Sequence, residues 1–167
     1  MAVRVGIVGR PNVGKSTLFN SIVGKNRALV NNIAGVTRDY KEEETFINGI
    51  KIKLIDTAGL SSRASTSQEK RINSYTDNVI ERLDLILFVF DGREGFTLED
   101  QSLFSKVRKL NKPIIVLINK VENKKIEENI FYESHKLGKL DKLLISAEHR
   151  LGISDVKDKI TEIIKKK

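Results

Sequence analysis

Short runs of aliphatic and β-branched residues recur along the chain, separated by longer stretches in which apolar positions return every three or four residues. VRVGIV (3–8), LILFVF (85–90), PIIVLI (113–118) and KLLIS (142–146) are of strand length and show little polar alternation. Such a strand is one covered on both faces. Leu103, Phe104, Val107 and Leu110 share one side of a helix, as do Ile153, Val156, Ile160 and Ile163, and a further helix is predicted from Lys15 to Gly24. Strands that alternate with helices need crossover connections, so the pattern predicts an α/β fold built on a mostly parallel sheet with helices on both faces. EEETFI and KIKLID flank Asn48-Gly49, a dipeptide favoured in two-residue hairpin turns, and these two strands are expected to be antiparallel. Stretches 26–39 and 60–70 follow neither period and are expected as mobile surface loops.

Length and composition narrow the setting. A chain of 167 residues with 40% hydrophobic content can build one well-packed core and is too short for two ordinary ones, so residues 1–167 are read as a single domain. There is no Cys, hence no disulfide framework or thiolate metal site, and a reducing compartment, the cytoplasm, is expected. The N-terminus lacks the ordered regions of a secretory leader, and the apolar runs fall far short of the ~20 residues that cross a bilayer. No membrane partner is expected. The net charge of +8 suits an acidic partner such as RNA or a nucleotide, but the basic residues are dispersed enough to be solvated surface, so charge alone decides nothing. Aromatic residues are only 6% and do not cluster with basic ones, which argues against a base-stacking RNA module.

The chemistry begins at GRPNVGKS (9–16), which fits G-x-x-x-x-G-K-[ST] and falls between a predicted strand and a predicted helix, where that motif works. Gly9 and Gly14 let the backbone turn its amides inward, and the helix N-terminus adds donors and the positive end of its dipole. Lys15 would neutralise the β and γ phosphates, and the Ser16 hydroxyl would ligate magnesium. DTAG (56–59) ends the strand KIKLI, which brings Asp56 to the carboxyl edge of the sheet beside the glycine-rich loop. Asp56 would hold magnesium through water, and the Gly59 amide would meet the γ-phosphate. NKVEN (119–123) follows the run IIVLI and offers a base-reading corner. The Glu122 carboxylate can accept from guanine N1–H and the 2-amino group, with Asn119 at the opposite edge, Lys120 along the pocket and the Ala147 amide of SAEH (146–149) facing O6. Adenine would leave that carboxylate unpaired, at a cost of ~1–3 kcal/mol or more.

GRPNVGKS, GVTRD around Thr37, DTAG, and NKVE with SAEH stand in the order found in the TrmE–Era–EngA group of P-loop GTPases, and the chain resembles that group throughout. KSTLFN, IAGVTRD and DGREGFTLED (91–100) resemble most closely the first G domain of its EngA family of ribosome-assembly GTPases. The resemblance implies a six-stranded Ras-like domain that binds GTP and GDP with magnesium, hydrolyses GTP to GDP and phosphate, and serves maturation of the large ribosomal subunit. Proteins of this family carry a second G domain and a KH-like domain, so the chain is expected to be an N-terminal fragment of a longer protein whose partner is the large ribosomal subunit or its rRNA. The nucleotide would be held by Gly9, Arg10, Pro11, Asn12, Val13, Gly14, Lys15, Ser16 and Thr17, by Asp56, Thr57, Ala58, Gly59 and Leu60, by Asn119, Lys120, Val121 and Glu122, and by Ser146, Ala147 and Glu148. Catalysis would rest on Lys15, Asn12, Thr37 and Gly59, and magnesium on Ser16, Thr37 and Asp56.

Two positions depart from related proteins. Glu122 stands where the group has Asp; its carboxylate reaches roughly 1.5 Å further but keeps the same acceptors. Leu60 stands where Ras-type proteins have the Gln that orients the attacking water. The related GTPases use a potassium ion near the phosphates with an Asn ligand, which places Asn12 as the potassium ligand here and predicts slow, potassium-stimulated turnover. Arg10, Arg38 and Arg63 are candidate charge stabilisers, and His135 and His149 are expected to be isolated. The competing readings are a base-tolerant or non-hydrolysing nucleotide-binding module, and a P-loop phosphotransferase acting on a small metabolite.

Overall fold

The computed structural model describes residues 2–24, 41–57 and 78–166. In chain order the described residues form β1 (Val3–Val8), α1 (Lys15–Val23), β2 (Lys41–Ile47), β3 (Ile50–Asp56), β4 (Leu85–Asp91), α2 (Leu98–Arg108), β5 (Ile114–Asn119), α3 (Lys124–Ser134), a 3-10 turn at His135–Leu137, β6 (Asp141–Leu144) and α4 (Ile153–Lys165). The strands make one six-stranded sheet in the order β2-β3-β1-β4-β5-β6. Only β2 and β3 pair antiparallel; every other neighbouring pair is parallel.

All seven residues of β4 are buried, and alternate side chains feed two different cores. Leu85, Leu87 and Val89 pack with Leu18, Phe19 and Ile22 of α1 and Val156 and Ile160 of α4. Ile86, Phe88 and Phe90 pack with Phe104 and Val107 of α2 and Ile130 of α3. A strand without a polar face is thus the sequence trace of a sheet with two covered sides. Within the second core Phe88 meets Phe104 edge-on, with ring centroids 5.1 Å apart.

The β2–β3 turn has Asn48 at φ 50° and Gly49 at φ 82°, the left-handed pair that matches the twist of the flanking strands. The Asn48 amide also donates to Asp158 Oδ1 at 3.0 Å and Thr161 Oγ1 at 3.2 Å, which ties the turn to α4. β6 stops at Leu144, two residues before the end of the expected strand. Beyond it Ser146 and Leu151 bond each other through both amides, so the chain folds on itself instead of extending the ladder. α2 ends at Arg108, and Leu110 packs against the core just past its end. Stretches 26–39 and 60–70 lie outside the described residues. Among the described residues no helix is long and apolar enough to cross a membrane.

β1 sits at the centre, paired with β3 on one side and β4 on the other. The chain therefore winds first to one side of β1 and then to the other, and the carboxyl ends of β1, β3, β4, β5 and β6 open on a common edge. In open α/β sheets that edge, at the reversal, is where ligands bind.

Candidate functional site

The loop between β1 and α1 is shaped by two left-handed residues, Asn12 at φ 69° and Gly14 at φ 99°. A Cβ on Gly14 would fall 2.3 Å from Asn119 Nδ2, so only glycine lets this loop lie against the end of β5. Val13 is fully buried and pins the loop into the core, while Pro11, Asn12, Ser16 and Thr17 are exposed. Gly9 leads out of β1 against the Val89 carbonyl. Lys15 is buried, and its ammonium donates to the carbonyls of Gly9 and, at 2.8 Å, Arg10. Burial lowers its pKa to about 8, against the pull of Asp56 in the other direction. No side chain caps the N-terminus of α1 and its first turn carries no acidic residue, so its amides meet no carboxylate of their own helix there.

Asp56, the last residue of β3, is buried and lies level with Ile7 of β1. Ser16 Oγ donates to Asp56 Oδ2 at 3.2 Å. A hydroxyl and a carboxylate converging beside a phosphate-type loop are the hard oxygen donors that magnesium takes, and the pair fits that ion. Thr57 Oγ1 donates to the Ile7 carbonyl at 2.7 Å, closing β3 against β1. Thr37, Arg38, Ala58, Gly59, Leu60 and Arg63 lie outside the described residues.

Asn119 ends β5 and is buried. Its Nδ2 donates to the Val13 carbonyl at 2.9 Å, and its Oδ1 accepts the Ala147 amide at 3.0 Å. One side chain therefore joins the β1–α1 loop to the loop after β6. The Ala147 amide, expected to face a base, is here committed to Asn119. Lys120, in the left-handed region at φ 65°, donates to the Asn12 carbonyl at 2.9 Å and pairs with Asp91 Oδ2 at 3.1 Å. Asp91 is a site residue that the sequence reading missed. Burial pushes its pKa up, but the Arg93 amide and the Lys120 ammonium outweigh it and hold it below the usual carboxylate range. Its signal was its place: it ends β4 as Asp56 ends β3, in register with Asn119.

Glu122 stands on the loop after β5 with its side chain 33% exposed, and His149 Nε2 is 3.6 Å from Glu122 Oε1. Glu148 belongs to the same exposed cluster. His149, expected to be isolated, thus has an acidic neighbour. The Val121 amide donates to the Ile145 carbonyl at 3.0 Å. Ser146 is fully buried, and its Oγ lacks a hydrogen-bond partner among the described residues. An unsatisfied hydroxyl there suits a site completed by a polar ligand. Arg10, a candidate charge stabiliser by sequence, is committed elsewhere: it pairs with Asp100 and Glu94.

The geometry has counterparts in known proteins. Residues 4–120 match the model of the 50S ribosome-binding GTPase family. GTPase Der of Bartonella bacilliformis is 45% identical over 166 residues, which is 99% of this chain and 35% of that protein. The chain thus spans about a third of the length of the curated relatives it matches. A crystal structure of an Aquifex aeolicus Era variant bound to GDP·AlF4− aligns with a TM-score of 0.81 at 31% identity, covering 97% of this chain and 57% of that one. Era in complex with MgGDPNP and a segment of 16S ribosomal RNA aligns with a TM-score of 0.80 at 30% identity, over 96% of this chain and 56% of that one. With the family match running from β1 to Lys120, just past the end of β5, the chain belongs to the 50S ribosome-binding GTPases.

Proposed function

We propose that this chain is the G domain of a ribosome-assembly GTPase, a switch that binds GTP with magnesium and hydrolyses it slowly to GDP and phosphate. The observation that carries this reading is the Asn119 side chain, which joins Val13 of the phosphate loop to Ala147 of the loop after β6. Phosphate cradle and base corner are then one site of nucleotide length. A phosphotransferase acting on a small metabolite has no use for the second half.

In this reading Lys15 and the α1 amides hold the β and γ phosphates, and Glu122 accepts from guanine N1–H and the 2-amino group. Ser16, Asp56 through water, and Thr37 hold magnesium, which neutralises charge developing on the phosphates. Gly59 offers its amide to the γ-phosphate; the roles of Thr37 and Gly59 rest on the family resemblance. The exposed Asn12 supplies an amide oxygen for potassium. The family supports the large ribosomal subunit or its rRNA as partner, and the Era neighbour, bound to a segment of 16S ribosomal RNA, supports ribosomal RNA in general. A second G domain, a KH-like domain and a cytoplasmic setting rest on the family resemblance; the chain spans 35% of the Bartonella bacilliformis relative.

Displacement of a fluorescent GDP analogue in magnesium and potassium buffer tests the reading. GDP and GTP are expected to compete, and ADP, ATP and XTP to fail. Comparable competition by ATP or XTP would show that Glu122 does not select guanine. Hydrolysis is checked separately: turnover should be faster in potassium than in sodium, and Asn12→Ala should erase that difference. Equal rates in both salts for the unsubstituted chain would remove the potassium site.

A further inference from the structure

The Arg10 side chain has no part in the chemistry proposed above, yet it is firmly held. Its side chain is only 11% exposed, its Nε donates to Asp100 Oδ1 at 3.0 Å, and its Nη2 donates to Glu94 Oε2. Asp100 is 0% exposed and divides its two oxygens between two tasks. Oδ2 accepts from both the amide and the hydroxyl of Thr97, each at 2.9 Å, while the Asp100 amide donates to Thr97 Oγ1, which closes the capping box of α2. Oδ1 is left for Arg10.

At its other end Arg10 reaches the phosphate loop. Its carbonyl accepts the Lys15 ammonium at 2.8 Å. The same residue thus anchors the start of α2 with its side chain and the phosphate-binding ammonium with its backbone. A charge-assisted bond out of water is short and directional, and a buried carboxylate stripped of its cation is strongly disfavoured. The pair with Asp100 therefore restrains the backbone whose carbonyl holds the Lys15 ammonium.

We infer that Arg10 is a positioning residue: the Arg10–Asp100 pair clamps the phosphate loop to the N-terminus of α2 and sets how slowly a bound guanine nucleotide leaves. The inference rests on the reading that Lys15 and its loop hold the nucleotide's phosphates. Glu94, half-exposed, is the minor arm of the clamp.

The test is the dissociation rate of a fluorescent GDP analogue from the 167-residue chain in magnesium buffer. Asp100→Asn keeps an oxygen for Thr97 but turns an amide group toward the guanidinium, and Arg10→Met removes the donors. Each is expected to speed dissociation about tenfold, the size of one lost charge-assisted bond. Arg10→Lys, which retains one such bond, should recover most of that loss. The double variant Arg10→Met/Asp100→Asn should be no faster than either single one, because both break the same contact. It also leaves no buried unpaired charge, since Glu94 is half-exposed, so it supplies the comparison should a single variant fail to fold. A merely structural role would lower the melting temperature of the nucleotide-free variants and leave dissociation unchanged at temperatures well below melting.

Binding of GDP by the unsubstituted chain with rates within twofold across Asp100→Asn, Arg10→Met and the double variant would overturn the clamp and leave the functional reading intact. Single effects that multiply in the double variant would also overturn it. Failure of the unsubstituted chain to bind GDP would overturn the functional reading and the clamp with it.

Discussion

At Lys15 burial and charge are directly opposed. Its ammonium is satisfied by the Gly9 and Arg10 carbonyls, yet loss of water lowers its pKa from 10.5 to about 8. Below pH 8 the folded chain carries the buried charge at a cost. Between pH 8 and 10.5 the unfolded chain binds more protons at this residue than the folded one, so stability rises with pH across that window. The gain is ~3 kcal/mol at most, and it is complete only above the unfolded pKa. Urea unfolding of the nucleotide-free chain, set against Lys15→Met to cancel the other titrating groups, should show the difference between the two growing from pH 8 upward. A flat difference would mean that Lys15 keeps its ordinary pKa in the folded chain. The energetic sense is that a polyphosphate would add negative charge beside the buried ammonium beyond that of Asp56.

Among the elements, those whose identity depends on local pattern were legible in sequence. β4 and β5 are buried on both sides and read as unbroken apolar runs, and the β2–β3 hairpin was announced by Asn48-Gly49. α1 and Lys15 followed from a motif that works only between a strand and a helix. α3 was not seen, because its charges in KKIEEN mask the apolar face. Its start nevertheless carries a cap, with Asn123 Oδ1 accepting the Ile126 amide at 3.0 Å. The boundary of β6 was misplaced since the Ser146–Leu151 fold-back leaves no local signal. Asp91 and the pairing of Arg10 escaped for a further reason. Their partners, Asp100 and Lys120, lie far along the chain, and only the sheet order makes them neighbours. That Asp56, Ser16 and Asn119 lie together at the carboxyl edge could be read by type; that Asn119 ties two loops together could not.

On the scale of the whole molecule, the loops at the carboxyl edge are tied to one another by side chains of the chain itself. Asn119 joins Val13 to Ala147, Lys120 joins Asn12 to Asp91, and Arg10 joins the phosphate loop to α2. A guanine nucleotide spanning phosphate loop and base corner would add one more tie across segments separated by more than a hundred residues, and none of these ties survives unfolding. Such a ligand stabilises the folded chain by mass action, ~2.7 kcal/mol at a hundred times its Kd. For a domain of this size that corresponds to a rise in Tm of roughly 5–10 °C with GDP and magnesium. ADP at the same concentration should leave Tm unchanged, because its base meets Glu122 with a lone pair instead of donors. Asn119→Ala loses two buried hydrogen bonds that hold different loops, so it should lower Tm without nucleotide and also shrink the GDP-induced rise. Should that variant keep the full rise, the two halves of the site bind independently, and Asn119 would be a packing residue of the sheet edge instead of the joint between them.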